Sequence, residues 1–290
     1  VLSANGDTRR PLVYLLIAGI LNVIFNLFFV IVCKMAEDGV ALASIITQYV
    51  SAALILIHMA RQNDDCAFRL RDMKNGLDKI EVKRVLGLGI PAGLQNAIFA
   101  VANLFIQSAV NSFDSVMVEG KSAAANADSV IYNVMAAFYT ACSTFMGQNL
   151  GAGNQKRMLE SYFIGLTYSF AVGAVLGAAL FVFGREFLSL FANDEAVIEA
   201  GLQRTRIMSF SYAFSAFMDC TIAACRGIGK SFAPTVIVIM GSCVFRVVWI
   251  YTVFAYFRTI PSLYLLYIFS WAITAIAEII CFVINYKKLN

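Results

Sequence analysis

The chain has 290 residues, of which 60% are hydrophobic and only 14% charged. A soluble domain of this size carries near a quarter charged residues, so the composition excludes an ordinary water-soluble body and points to a polytopic membrane protein. The net charge of +4 is a topology signal on such a chain, not the footprint of a nucleic-acid binder.

Eight apolar runs, at 12–33, 40–59, 88–110, 122–146, 162–183, 207–225, 233–257 and 262–283, each reach the roughly 20 residues that cross a bilayer as a helix. The expected fold is therefore all-α, a polytopic bundle of eight transmembrane helices. The first run opens at Gly6-Asp7-Thr8-Arg9-Arg10-Pro11 and the seventh at Gly229-Lys230-Ser231-Phe232-Ala233-Pro234, with Gly and Pro at the same spacing. A further apolar run follows each. This layout reads as an internal repeat, which in a membrane chain points to a transporter built from two related bundles. If the seventh run repeats the first, the counterparts of runs three to six would precede residue 1. The expected organisation is then the last two helices of a first lobe (1–60), a cytoplasmic linker (61–86) and a complete six-helix second lobe (87–290), with the other first-lobe helices missing.

Within the linker, Leu77, Ile80 and Val85 among Lys79, Glu81, Lys83 and Arg84 predict either an amphipathic helix on the membrane surface or a solvated connector. Gly184–Gln203 reads as a short interfacial helix on the other side, and Gly173-x-x-x-Gly177 allows close helix packing. Most of the 22 Lys and Arg fall in one set of loops (Arg9, Arg10, the run from Arg61 to Arg84, Lys156, Arg157, Arg226, Lys230, Lys287 and Lys288). Fewer lie in the opposite set, which holds Arg204. The basic side is expected to be cytoplasmic, with both termini there and the protein in the cell membrane.

Few residues suit catalysis or metal binding. Ala224-Cys-Arg-Gly-Ile-Gly-Lys230-Ser231 is one glycine short of a phosphate-binding loop and follows an apolar span where a strand is required. With His58 alone, no nucleophile–base set is available, and an enzyme is not expected. The seven cysteines lack Cys-x-x-Cys spacing, so neither a metal site nor a disulfide is expected.

Charges inside spans are costly and mark functional candidates. Asp219 lies about 10 Å inside its span, Arg246 about 18 Å and Glu278 about 13 Å, at 1.5 Å rise per residue. Asp219 and Arg246 are predicted to pair, either as mutual neutralisation or as a cation-handling centre with Ser215. Glu278 is expected to snorkel or to face a cavity. Polar stripes recur at helical spacing: Asn96, Asn103, Gln107 and Asn111 in run three, and Tyr132, Tyr139 and Ser143 beside Asn133 and Thr140 in run four. Asn22 and Asn26 do the same in run one. In lipid such faces turn inward, as interhelical glue or as the wall of a wet cavity. Asn96, Asn103, Gln107, Tyr132, Tyr139 and Glu278 are the candidate cavity residues, with aromatics suited to flat organic cations.

Ile90-Pro-Ala-Gly93, Phe145-Met-Gly-Gln-Asn-Leu-Gly-Ala-Gly153, and Met218-Asp219 followed by Arg226-Gly-Ile-Gly-Lys-Ser231, Pro234 and Cys243-x-x-Arg246-x-x-Trp249 together resemble the multidrug and toxic compound extrusion (MATE) family over essentially the whole chain. The resemblance implies two six-helix lobes around a central cavity and efflux of amphipathic, often cationic, organic compounds. It implies inward flow of H⁺ or Na⁺ as the drive, and no cofactor. Two departures bear on the coupling ion. Run three lacks the acid that some members carry there, and Asp219 sits about one turn from the acid of a sodium-coupled subgroup, which would fall near Ser215. Weighed beside export are a lipid-linked-precursor flippase of the same superfamily, which needs more cavity Arg and Lys than Arg246 alone, and an inert truncated fragment.

Overall fold

The computed structural model describes residues 2, 6–61 and 78–289, and every regular element among them is helical. The chain divides into two compact units, residues 1–82 and 83–290. In the first, α1 (Arg9–Val32) and α2 (Glu37–Arg61) form a hairpin. Asn22 donates to the Thr47 hydroxyl at 3.1 Å and Asn26 donates to Asn22 at 3.0 Å. The asparagine pair of the first run therefore faces the neighbouring helix as glue. Near the other end of the hairpin Arg10 meets His58 at 3.2 Å.

The second unit follows as α3 (Lys79–Val110), α4 (Ser115–Gly151), α5 (Gln155–Val182), α6 (Gly184–Leu188), α7 (Glu195–Met208), α8 (Ser211–Gly227), α9 (Phe232–Phe257) and α10 (Ile260–Lys287). Of the linker, residues 62–77 lie outside the described residues. From Lys79 onward it is already α3, so Ile80 and Val85 belong to the first turns of a 32-residue helix and not to a separate surface helix. Nothing between Lys79 and Ile90 breaks a helix, and the helix continues through Pro91 although that residue lacks a backbone donor and its ring crowds the Gly87 carbonyl.

Among the described residues six helices are long and apolar enough to cross a bilayer: α1, α2, α3, α5, α9 and α10. A seventh span arises if α7 and α8, bent by 55° at their junction, count together. Eight equal spans are not matched. Helix α4, with 37 residues and a length of about 55 Å, has the reach but dilutes its apolar character with Lys121, Asn126, Asp128, Ser129 and Asn133. The outer faces remain apolar, with Leu15, Val175 and Ile276 each more than half exposed, as a lipid-facing surface requires.

The weak sequence repeat is sharper in the backbone. Gly6 and Gly229 both take positive φ, 87° and 79°, and in each case Pro sits at the third residue of the helix that follows. Both helices carry π-helical turns, at Phe28–Val32 in α1 and at Ile239–Val244 and Ile250–Phe254 in α9. Both then end at a cationic residue in the left-handed region, Lys34 (φ 54°) and Arg258 (φ 48°), the two non-glycine residues with positive φ among those described. Two helices that share start, internal π geometry and an unusual stop are repeat units by more than composition.

The core of the second unit runs along α4, α5, α8, α9 and α10, with Met135, Tyr212, Ala216, Val238 and Trp271 at its centre. Helix α5 approaches α8 through Gly173 and Gly177; a Cβ on Gly177 would sit 2.2 Å from the Ser209 carbonyl oxygen. Helix α7, which overlaps the segment expected to form an interfacial helix, packs on α4, and Arg204, assigned from sequence to an outer loop, is buried on it. Its guanidinium forms a fork with the Asp128 carboxylate: Nη1 donates to Oδ1 at 3.2 Å and Nη2 donates to Oδ2. The Tyr212 hydroxyl donates to the same Oδ1, and the Tyr264 ring lies 5.5 Å from the Arg204 guanidinium carbon. Desolvating Arg204 is affordable only with this carboxylate and ring around it, so the cluster ties α4, α7, α8 and α10 together across the bend.

Thermal unfolding in detergent micelles tests both the glycine contact and the fork. Gly177→Ala destabilises by about 3 kcal/mol, because backbone stands where the methyl must go. Gly89→Ala, at a helical position with nothing within 4 Å of the new methyl, stabilises by about 0.5–1 kcal/mol; equal shifts at the two sites would contradict the packing. Asp128→Ala costs about 3–5 kcal/mol, since it strands Arg204. The double variant Asp128→Ala/Arg204→Met recovers most of that loss, whereas additive losses in the pair would show that the fork contributes nothing.

Candidate functional site

Arg246 lies at mid-length of α9, between its two π-helical stretches. Such turns are frequent at functional sites, because they re-aim side chains relative to a regular helix. The side chain is buried at 3% exposure. Its guanidinium carbon lies 4.6 Å from the Tyr267 ring centroid, 5.5 Å from that of Phe99 and 6.0 Å from that of Trp271, and its Nε donates to the Ser270 hydroxyl at 3.2 Å. Tyr267, Ser270 and Trp271 occupy one face of α10 at i, i+3 and i+4. This aromatic cage explains how the cation is held away from water.

The predicted direct Asp219–Arg246 pair is not made. Asp219 forms no ion pair or hydrogen bond with any described residue; it is half-buried on α8, within electrostatic range of both Arg246 and Arg226. The physical reason is direction. Arg246 turns to α10, the hairpin partner of its own helix, where three rings and a hydroxyl receive it, and leaves the carboxylate on α8 uncommitted. Tyr132 bridges the two regions: it meets Trp271 edge-on at 6.2 Å and Tyr212 edge-on at 5.7 Å. It lies within electrostatic range of Asp128, Asp219 and Arg246. Tyr132 thus stands between the Asp128–Arg204 fork and the cage around Arg246.

The other candidates divide. Asn96 and Asn103 are exposed on α3, and Tyr139 is half-buried on α4 beside exposed Asn133 and Thr140. Gln107 is half-buried; it accepts from Lys121 and donates to Asn111 at 2.8 Å, and no hydrogen bond joins it to Asp219. Ser215 is fully buried and donates to the Tyr212 carbonyl at 2.8 Å, so its hydroxyl proton serves the α8 backbone. Glu278 does not snorkel: it is fully buried. On α3, Gln95 accepts from Arg226 at 2.9 Å and Phe105 meets Tyr251 edge-on at 6.4 Å. A groove of about 690 Å³ lies elsewhere, between α4 and α5, lined by Phe138, Phe145, Gln148 and Tyr168. It includes none of Asn96, Asn103, Gln107, Tyr132, Tyr139 and Glu278.

The sequence reading missed Asp128 and Arg204. The available signal was Asp128 itself, the lone acid in its apolar run and as conspicuous there as Asp219 is in its own.

Comparison with known proteins bears on these features. The family profile described as MatE matches residues 91–252. The probable multidrug resistance protein YpnP of Bacillus subtilis is 30% identical over 214 residues, which is 74% of this chain and 47% of that protein. The FAD transporter of Shewanella oneidensis is 27% identical over 205 residues, covering 68% of this chain and 44% of its own. Among solved structures, an outward-facing multidrug resistance MATE family transporter of the MOP superfamily matches with TM-score 0.88 at 19% identity, over 98% of this chain and 64% of that one. A MOP superfamily transporter from Pyrococcus furiosus matches with TM-score 0.90 at 18% identity, over 99% and 65%. At those identities the structures speak for the fold alone. The chain spans about half the length of the curated relatives it matches. It is a multi-pass membrane protein by its apolar helices and its relatives, and with over half its length inside the family match it belongs to the MATE family.

Proposed function

We propose that this protein takes part in secondary active export of amphipathic, cationic organic compounds across the cell membrane, by alternating access and with inward flow of H⁺ or Na⁺ as the drive. The observation that carries this reading is Asp219, a carboxylate on a buried helix that no described residue pairs with or hydrogen-bonds. Such a group is available to bind a cation in one arrangement of the helices and to release it in another. Coupling requires that the two arrangements differ in affinity for that cation. The exposed amides of Asn96 and Asn103 and the aromatic residues Tyr132 and Tyr139 supply a polar, flat-walled surface suited to an amphipathic substrate. Transport rather than catalysis fits the single His and the relatives' names. The basic loops support cytoplasmic termini.

A second reading rests on Arg246 and on one relative. That relative is named an FAD transporter, and a guanidinium set among Phe99, Tyr267 and Trp271 suits a flat anion such as a flavin dinucleotide as well as it holds the helix pair together.

Everted vesicles carrying the protein, with an imposed pH or Na⁺ gradient, test both. Gradient-driven uptake of a cationic dye is expected to fall about tenfold or more in Asp219→Asn, while dye binding changes little. Uptake indifferent to both gradients, or unchanged in the variant, would overturn the export reading. Under the second reading, flavin dinucleotide is taken up and Arg246→Gln abolishes that uptake while sparing the dye.

A further inference from the structure

Glu278 is the buried charge that neither reading uses. It is 0% exposed, and neither carboxylate oxygen has a hydrogen-bond partner. A carboxylate so placed is costly unless something compensates it. Arg226 is within electrostatic range but forms no ion pair with it; its Nη2 donates to Gln95 instead. What does stand close is sulfur. Cys225, at the C-terminal end of α8, and Cys281, one turn beyond Glu278 on α10, place their Sγ atoms so that these and a Glu278 oxygen all lie within 4.8 Å of one another. Cys225 is buried and Cys281 half-buried. Asn285 steadies Cys281, with Nδ2 at 3.3 Å from its sulfur.

We propose that Cys225, Glu278 and Cys281 form a binding site for a thiophilic divalent metal ion, with Zn²⁺ the best match. Zn²⁺ takes thiolate sulfur at about 2.3 Å and carboxylate oxygen at about 2.0–2.2 Å in a tetrahedral array. Ligand atoms around such an ion stand less than 4.8 Å from one another, as these three already do. Two thiolates exclude Mg²⁺ and Ca²⁺, which demand oxygen. The same preference separates this site from any H⁺ or Na⁺ site at Asp219. Charge closes as well. Two thiolates, one carboxylate, one divalent cation and the neighbouring Arg226 sum to zero, the condition that a low-dielectric interior favours. Each thiol that ligates releases its proton to solvent as the metal–sulfur bond forms, and the three protein ligands leave a fourth position for water. The absence of Cys-x-x-Cys spacing argued from sequence against a metal; the fold supplies the pair from two helices instead. A bound ion would clamp the end of α8 to α10 fewer than two turns from Asp219.

The test uses the purified protein in detergent and Co²⁺ as the probe. Titration is expected to give a thiolate-to-cobalt charge-transfer band saturating at one equivalent, and Zn²⁺ is expected to bleach it by displacement. Glu278→Gln and Cys281→Ser should each weaken Co²⁺ binding about tenfold or more, whereas Cys243→Ser, at a buried cysteine outside the site, leaves it unchanged. Cys281 is half-buried, so that variant remains informative if Cys225→Ser does not fold. Zn²⁺ should also raise the melting temperature of the wild type and not of Glu278→Gln. No thiolate band, or a band that persists undiminished in Cys281→Ser and Glu278→Gln, would overturn the assignment.

Discussion

Lipid offers a polar side chain nothing to bond with, and every polar group on these helices must be answered by protein or by water. That constraint sorts the second unit. Arg204 is answered by Asp128, and Arg246 by three rings and the Ser270 hydroxyl. Ser242 and Thr274 answer each other at 3.0 Å, and Tyr162 and Thr221 do so at 2.9 Å. Asn96, Asn103, Asn133 and Thr140 are exposed on helices that otherwise present apolar residues to lipid. Under the proposed function their face is the one that meets water or substrate.

Two buried arginines thus have different offices. Arg204 meets a full opposite charge in a forked geometry, which is rigid and holds a 55° bend in place. Arg246 is held by aromatic faces, a softer arrangement with no single partner to break. It sits between two π-helical stretches, where the helix has already departed from its most stable form. Asp219 is the carboxylate left uncommitted between them. A helix pair with one rigid joint, one softly held cation and one free acid has the parts from which a two-state element can be made.

Much of this was legible in the sequence. The apolar runs gave the helices because length and composition alone decide what crosses a bilayer. Gly6 and Gly229 with Pro11 and Pro234 marked the repeat because positive φ and a helix start need those residues. Gly173 and Gly177 showed where backbones approach. The harder features depend on partners far apart in the chain. Nothing local tells Asp128 that its counterpart is Arg204, and nothing in α9 says that Arg246 will turn to α10 rather than α8. Depth along the span and the adjacency of α8 and α9 are what put Arg246 beside Asp219 in the sequence reading, and neither fixes the direction of a side chain beyond a π turn. Composition also misleads at both ends of the apolar scale. Helix α4 is long enough but too polar to be counted by hydropathy, and α7 is too polar to look buried although it is.

The most direct measurement is accessibility of a cysteine placed at Asn103, in a background whose native cysteines are replaced. Water on that face predicts fast labelling by a membrane-impermeant maleimide and protection by an exported cationic dye. Reaction only with a lipid-soluble reagent, untouched by dye, would mean that α3 turns this face to the bilayer and that its polar stripe is not the wall of a transport pathway.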